Sequence, residues 1–175
     1  MAHGSFGDRP ATLRLTGQAT GGHKVEIVLG EKEVAGTFGP ESAKIDLSTD
    51  LAEQLAPRGS GGLLVALHLW QRLLQLGPAQ FGDVYYLGTV PVIDRPGLCD
   101  ALVATHNVVE TRFLFDPQSG LLIGMEMFPE NDTDPCEVYF DDFRAVDNRQ
   151  LPHRLRIRHS DSIYAEIQLA TVRWD

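Results

Sequence analysis

Apolar and polar residues alternate through the first third of the chain: Leu13 and Leu15, then Val25, Ile27 and Leu29, then Val34, Gly36 and Phe38, then Ile45 and Leu47. Successive side chains of a strand point to opposite faces, so this period of two predicts strands with one buried face. Gly21-Gly22, Gly30 and Gly39-Pro40 interrupt the runs at short intervals, as the turns of an antiparallel meander do. Arg14, Lys24, Glu26, Lys44 and Asp46 fall between the apolar positions and would form the face an antiparallel sheet can leave wet.

The period then lengthens. Ser48-Thr49-Asp50 offers cap oxygens for a short helix from Leu51 to Leu55, which Pro57 stops. After Arg58-Gly59-Ser60-Gly61-Gly62 the run from Leu63 to Leu74, ended by Gly77-Pro78, reads as the main helix. Leu63, Leu67, Trp70 and Leu74 share a stripe that Leu64, Leu69 and Leu73 widen, leaving only His68, Gln71, Arg72 and Gln75 polar. A helix that apolar must be largely covered.

Strands return over Val84–Leu87, Ala101–Thr105, Val109–Phe115, Leu121–Phe128, Glu137–Arg144, His153–His159 and Ser162–Trp174. Asp116-Pro117-Gln118-Ser119-Gly120 and Asp147-Asn148-Arg149-Gln150 have turn chemistry and should join their neighbours as hairpins. Strands, then helices, then strands, without regular alternation, predict an α+β fold: a large curved antiparallel sheet, an incomplete β-barrel, wrapped around the apolar helix. Residues 9–175 are expected to form this single domain. Residues 1–8, beginning Met1-Ala2-His3-Gly4-Ser5, read as a cloning remnant and disordered start, and the remainder of the chain as a piece of a longer protein.

Composition narrows the functions. At 175 residues, 43% of them hydrophobic, the chain can bury roughly two-thirds of its unfolded surface without a metal or disulfide. Twenty-four acidic against 15 basic residues, a net charge of −9, argues against nucleic acid, which needs a basic surplus. No apolar run approaches the roughly 20 residues of a membrane span. Cys99 and Cys136 lie beside Asp100 and Glu137, which oppose thiolate formation. A bridge between them, worth about 4 kcal/mol in the chain-entropy model, and two unlinked core residues both suit the pattern.

The succession Phe113-Leu114-Phe115-Asp116-Pro117-Gln118-Ser119-Gly120-Leu121-Leu122, followed by Val138-Tyr139-Phe140-Asp141-Asp142-Phe143-Arg144-Ala145-Val146-Asp147-Asn148-Arg149-Gln150-Leu151-Pro152-His153, resembles hairpins of the lipoprotein-localisation superfamily, which includes LolA/LolB-type carriers and RseB-like regulators. The resemblance covers roughly residues 81–174. It implies an incomplete antiparallel barrel closed by helices, with a hydrophobic cavity for acyl chains or an apolar peptide, in a periplasmic or otherwise exported protein. Leu63 through Asp83, Phe81-Gly82-Asp83-Val84-Tyr85-Tyr86 and Glu126-Met127-Phe128-Pro129 are also similar to C-terminal modules of large exported bacterial proteins, including trypsin-like proteases of planctomycetes. The main helix follows about four strands here, a departure from the carriers.

The candidate ligand-binding residues are accordingly Leu63, Leu67, Trp70 and Leu74 on the helix, and Phe113, Phe115, Met125 and Met127 on the sheet, because adaptable methionines among aromatics suit a flexible apolar ligand. An ordinary filled core would use the same residues. Arg154, Arg156 and Arg158 alternate with Leu155 and Ile157, with Arg144 and Arg149 near the preceding turn. They form either a basic strip for an anionic partner or cross-strand pairs with Glu137, Asp141 and Glu166. Gly59 to Gly62 could hold an anion at the helix start, with Arg58 adding charge.

No catalytic residue is assigned, since Arg58 stands where a trypsin-like nucleophile segment has Asp and no nucleophile–base pair can be defended. No metal or other cofactor is expected: His3, His23, His68, His106, His153 and His159 include no pair at helix-site spacing, and Pro135 stands where a calcium loop begun at Glu130 needs glycine. The function expected is a non-catalytic cell-envelope binding module holding a lipid, acyl chain or hydrophobic peptide between sheet and helix. The alternative is an accessory domain of a larger exported protein, such as a protease, whose partner is another domain of the same parent.

Overall fold

The computed structural model describes residues 55, 57–106, 109–130, 132–146 and 148–169, together with the backbone of 2–6, 9–17, 23–29 and 32–38. Four strands come first, β1 (Ala2–Phe6), β2 (Arg9–Gly17), β3 (His23–Leu29) and β4 (Lys32–Phe38), then helix α1 (Leu63–Leu76) and a single 3-10 turn, Pro78–Gln80. Seven more follow: β5 (Val84–Pro91), β6 (Leu98–His106), β7 (Val109–Phe115), β8 (Leu122–Phe128), β9 (Cys136–Val146), β10 (Arg149–His159) and β11 (Ser162–Leu169). All join one antiparallel sheet in the order β4-β3-β2-β1-β11-β10-β9-β8-β7-β6-β5, which is open, with β4 and β5 at its edges.

The α+β class, the seven strands after the helix and the two hairpins stand as the residue pattern predicts. Asp116 turns the β7–β8 hairpin by accepting hydrogen bonds from the N–H of Gln118 (3.0 Å) and Ser119 (2.7 Å) and from the Ser119 hydroxyl (2.8 Å). Those donors, Ser119 foremost, hold its carboxyl below the usual aspartate range. The β9–β10 turn is tighter than expected, because Val146 already pairs with Arg149 and Asn148 takes a left-handed φ of 62°. Pro152 sits inside β10 rather than at its start, opposite Phe143; the pairing of β10 with β11 begins only at Arg154, so the missing N–H costs no ladder bond there.

The opening residues differ from expectation. Ala2–Phe6 is not a disordered start: it forms β1, paired with β2 on one side and β11 on the other. The expected strand at Ile45 and Leu47 and the short helix over 51–54 lie outside the described residues, as do 170–175 of the expected last strand.

Pairing register sorts the side chains onto two faces. On one, Phe113, Met125, Val138, Phe140, Leu155, Ile157 and Ile167 form the main core with α1. On the other, Val92, Cys99, Ala101, Leu114, Ile123 and Tyr139 form a smaller cluster. Cys136 belongs to the first and Cys99 to the second, so the sheet itself separates the two thiols, and both are free and buried. Burial raises the Cys136 thiol far above its ordinary value, with Glu137 adding to the effect.

From Leu63 to Arg72 every residue of α1 is buried. The helix lies against β8 and β9, and also against β3 and β4 near the far end of the strand order. No helix among the described residues is long and apolar enough to cross a membrane.

Candidate functional site

The helix begins at a glycine-rich bend that the chain closes by itself. Ser60, fully buried, accepts hydrogen bonds at Oγ from the N–H of Gly62 (3.2 Å) and Leu63 (3.0 Å) and donates to the Leu55 carbonyl (3.4 Å). Two donors that an anion would need are thus engaged by a side chain three residues or fewer away, as at a helix N-cap. The N-cap position itself is Gly62, in a left-handed conformation, and Ser60 closes the bend before it. Gly59, Gly61 and Gly62 all have positive φ, which explains the run of glycine.

The eight candidate ligand-binding residues do meet. Leu63, Leu67, Trp70, Phe113, Met125 and Met127 are buried members of the main core, and Leu74 and Phe115 pack against it. Trp70 stacks on Phe140 at 4.8 Å between ring centroids, and Phe81 meets Phe113 edge-on at 5.5 Å.

Within this apolar seam lies a polar group the sequence did not bring together. His68, Gln71 and Arg72 turn inward from α1, His106 comes from the end of β6 and Thr111 from β7, and all five are buried. The His68 and His106 rings are 6.1 Å apart, and Phe81 lies 6.0 Å from His106 and 5.8 Å from the Arg72 guanidinium. Arg72 donates from Nε and Nη2 to the Gln80 carbonyl (3.2 and 2.6 Å), tying the 3-10 turn to the helix. Thr111 pairs with Ala104, which places it diagonally across from His106 on the face toward α1. Among the described residues, Thr111 Oγ1 and Gln71 Oε1 have no hydrogen-bond partner. Spacing could have singled out His68, Gln71 and Arg72, which stand at i, i+3 and i+4 on one arc; the meeting of His68 with His106 depends on the tertiary fold.

Arg154, Arg156 and Arg158 of β10 lie on the opposite face, and each meets a carboxylate of this chain. Arg158 faces Glu137 across the β9–β10 ladder at 3.3 Å, Arg154 faces Asp141 at 3.6 Å, and Arg156 reaches Asp94 at 3.2 Å while lying 5.6 Å from the Tyr139 ring. Asp94 and Arg95 come from the β5–β6 connection, which folds over this face: Arg95 donates to Asp141 (2.6 Å) and to the Phe140 carbonyl (2.8 Å). The cross-strand reading thus accounts for Arg154 and Arg158, while Arg156 takes Asp94 as its partner in place of Glu166. Arg144 pairs with Asp142 at 2.6 Å.

Across β7 to β10 the register sets Arg112, Glu126, Glu137 and Arg158 in one row, so two glutamates stand directly opposite each other. Burial raises the Glu126 carboxyl, Arg112 pulls it back, and Glu137 pushes it up again. A carboxyl that holds its proton more readily in the folded than in the unfolded chain costs stability as pH rises through a window that opens at the ordinary glutamate value of ~4.3. Glu126→Gln is therefore expected to raise stability at pH 7 by up to ~1 kcal/mol, the gain fading toward pH 4. Urea denaturation at both pH values checks this; a loss at pH 7 would show that the pairing of Glu126 with Arg112 outweighs the repulsion.

His153 and His159 share a strand face but serve separate backbone carbonyls, of Leu151 and Pro135, each at 3.1 Å. In the acidic loop, Glu130 accepts from the Thr133 hydroxyl and Asp134 from the Ser160 hydroxyl, at 2.8 and 2.7 Å. Among the described residues no three His, Cys, Asp or Glu side chains group as metal ligands. The chain matches no family model, and no curated protein or solved structure matches it significantly.

Proposed function

We propose that this domain is a non-catalytic binding module whose sheet curls around α1 and holds a lipid, acyl chain or hydrophobic peptide in the seam between them. Curling is supported by the approach of one helix to β8 and β9 and also to β3 and β4, strands far apart in the sheet order. Open twisted sheets of this width tend to curl. The observation that carries the reading is the seam's composition: Met125, Met127 and Phe113 supply an adaptable apolar wall, while Thr111 Oγ1 and Gln71 Oε1 lie buried without partners among the described residues. A self-sufficient core satisfies its polar atoms, because an unmade buried hydrogen bond costs about 1–3 kcal/mol. A polar end on an otherwise apolar ligand would complete them. The resemblance of residues 81–174 to lipoprotein carriers supports a place in the cell envelope.

The second reading, an accessory domain of a larger exported protein, is favoured by the close packing of Trp70 on Phe140 and the full enclosure of Leu67, Phe113, Met125 and Met127. Native mass spectrometry of the purified domain followed by solvent extraction separates the two. The binding module predicts a co-purifying apolar species; a clean apo mass that stays unchanged with added hexadecanoic acid and phosphatidylglycerol would favour the accessory domain.

A further inference from the structure

Among the described residues strand β5 ends the sheet with one side unpaired, and its side chains are bare: Tyr86 is 60%, Tyr85 49% and Leu87 46% exposed, with Leu98 of β6 beside it at 56%. Natural edge strands are usually guarded by charge, because their free N–H and C=O groups template pairing with another chain. The other edge strand, β4, carries Lys32 and Glu33, whereas β5, Val84-Tyr85-Tyr86-Leu87-Gly88-Thr89-Val90-Pro91, carries no charge. We propose that β5 is a self-association edge, pairing antiparallel with β5 of a second copy of this chain to join two sheets across a two-fold axis.

Self-complementarity points to a second copy as the occupant. The β5–β6 register places Val84 and Tyr86 opposite Ala104 and Leu102, on the helix side, and Tyr85 opposite Val103, on the outer side. A bulge at Leu87 then reverses the alternation, so that Thr89 falls on the helix side and Gly88 and Val90 on the outer side. A two-fold axis between Leu87 and Gly88 brings like faces together and sets Tyr86 against Thr89, Tyr85 against Val90 and Leu87 against Gly88. Each aromatic then meets a β-branched residue, the favourable cross-strand pairing. Pro91, which cannot donate, falls at the end of the ladder opposite Val84.

Charge agrees with this arrangement. Two chains of net charge −9 repel least along a neutral strip. The antiparallel arrangement also sets the two Asp83 carboxylates ~30 Å apart, well beyond the ~8 Å screening length at physiological salt. A parallel pairing would set them side by side.

Sedimentation velocity over a wide concentration range tests the proposal. A monomer–dimer equilibrium is expected, and Leu87→Lys, which puts two ammonium groups side by side at the axis, should weaken it about tenfold or more while leaving circular dichroism and the thermal unfolding of the dilute monomer unchanged. The Tyr85→Cys/Val90→Cys double variant should form a disulfide-linked dimer on oxidation, and Tyr85→Cys alone should not, since the two 85 positions are several rows apart. A chain that stays monomeric throughout, a dimer indifferent to Leu87→Lys, or equal cross-linking of the single and double variants would overturn it.

Discussion

Replacing Trp70 with alanine is expected to lower the unfolding free energy by about 3–5 kcal/mol, the range for deleting a large buried aromatic. Trp70 is 6% exposed and stacks on Phe140 with the planes inclined at 29°, so it fixes the helix against β9. Trp70 and Phe140 both belong to the main apolar cluster, so the truncation leaves a cavity against the Phe140 ring. In a chain of this size the loss corresponds to a melting temperature lower by roughly 10 °C. Thermal and urea unfolding check the magnitude, and a double-mutant cycle with Phe140→Leu should return a coupling of about 0.5–1.5 kcal/mol for the stacked pair. A cost below ~1 kcal/mol would mean that α1 does not pack on β9 through this residue.

The second large effect is expected at Gly61, where alanine should cost about 2–4 kcal/mol by two mechanisms. Its φ of 69° is left-handed, a conformation that charges any residue with a Cβ on the order of 1 kcal/mol. The added Cβ would stand 2.5 Å from Nδ1 and 2.9 Å from Cε1 of His159. That ring cannot simply swing away, because its Nδ1 is bonded to the Pro135 carbonyl and so ties β10 to the loop before β9. Displacing it breaks that bond and repacks the helix start. Urea unfolding of Gly61→Ala measures the total. Gly61→Ala combined with His159→Ala should recover the steric part and leave the backbone part, whereas an unchanged cost in the double variant would assign the whole effect to φ.

Gly61, Gly62 and Ser60 illustrate what the sequence made legible and what it did not. A Gly-rich segment before an apolar run marks a helix start, and the helix does begin at Leu63. Whether those glycines leave N–H groups open for an anion or let the chain come close to something depends on what stands beside them. Here His159 and Met127 do, from strands far along the chain. The helix, the hairpins and the apolar side of the seam were readable because period and turn chemistry are local properties. The pairing of β1 with β11 was not, since it joins the two ends of the described chain and leaves no local trace in Ala2–Phe6.

Long-range placement also decided the polar residues. Glu137 and Asp141 were legible as partners of the β10 arginines because a hairpin fixes its own register. Asp94 was not, because it reaches Arg156 from a connection 62 residues away. His68 and His106 were visible as residues but not as neighbours; only the tertiary fold brings the two rings to 6.1 Å, whereas the β6–β7 register alone sets Thr111 diagonal to His106.

The central claim is that the seam between α1 and the sheet accepts an apolar ligand whose polar end meets Thr111 and Gln71. Calorimetric titration of the delipidated domain with hexadecanoic acid tests it most directly. The account predicts saturable one-to-one binding with a negative heat-capacity change, weakened about tenfold by Thr111→Val, a near-isosteric change that removes the hydroxyl and should leave unfolding cooperative. Absence of saturable heat, or binding indifferent both to Thr111→Val and to Leu67→Trp in the apolar wall, would contradict it.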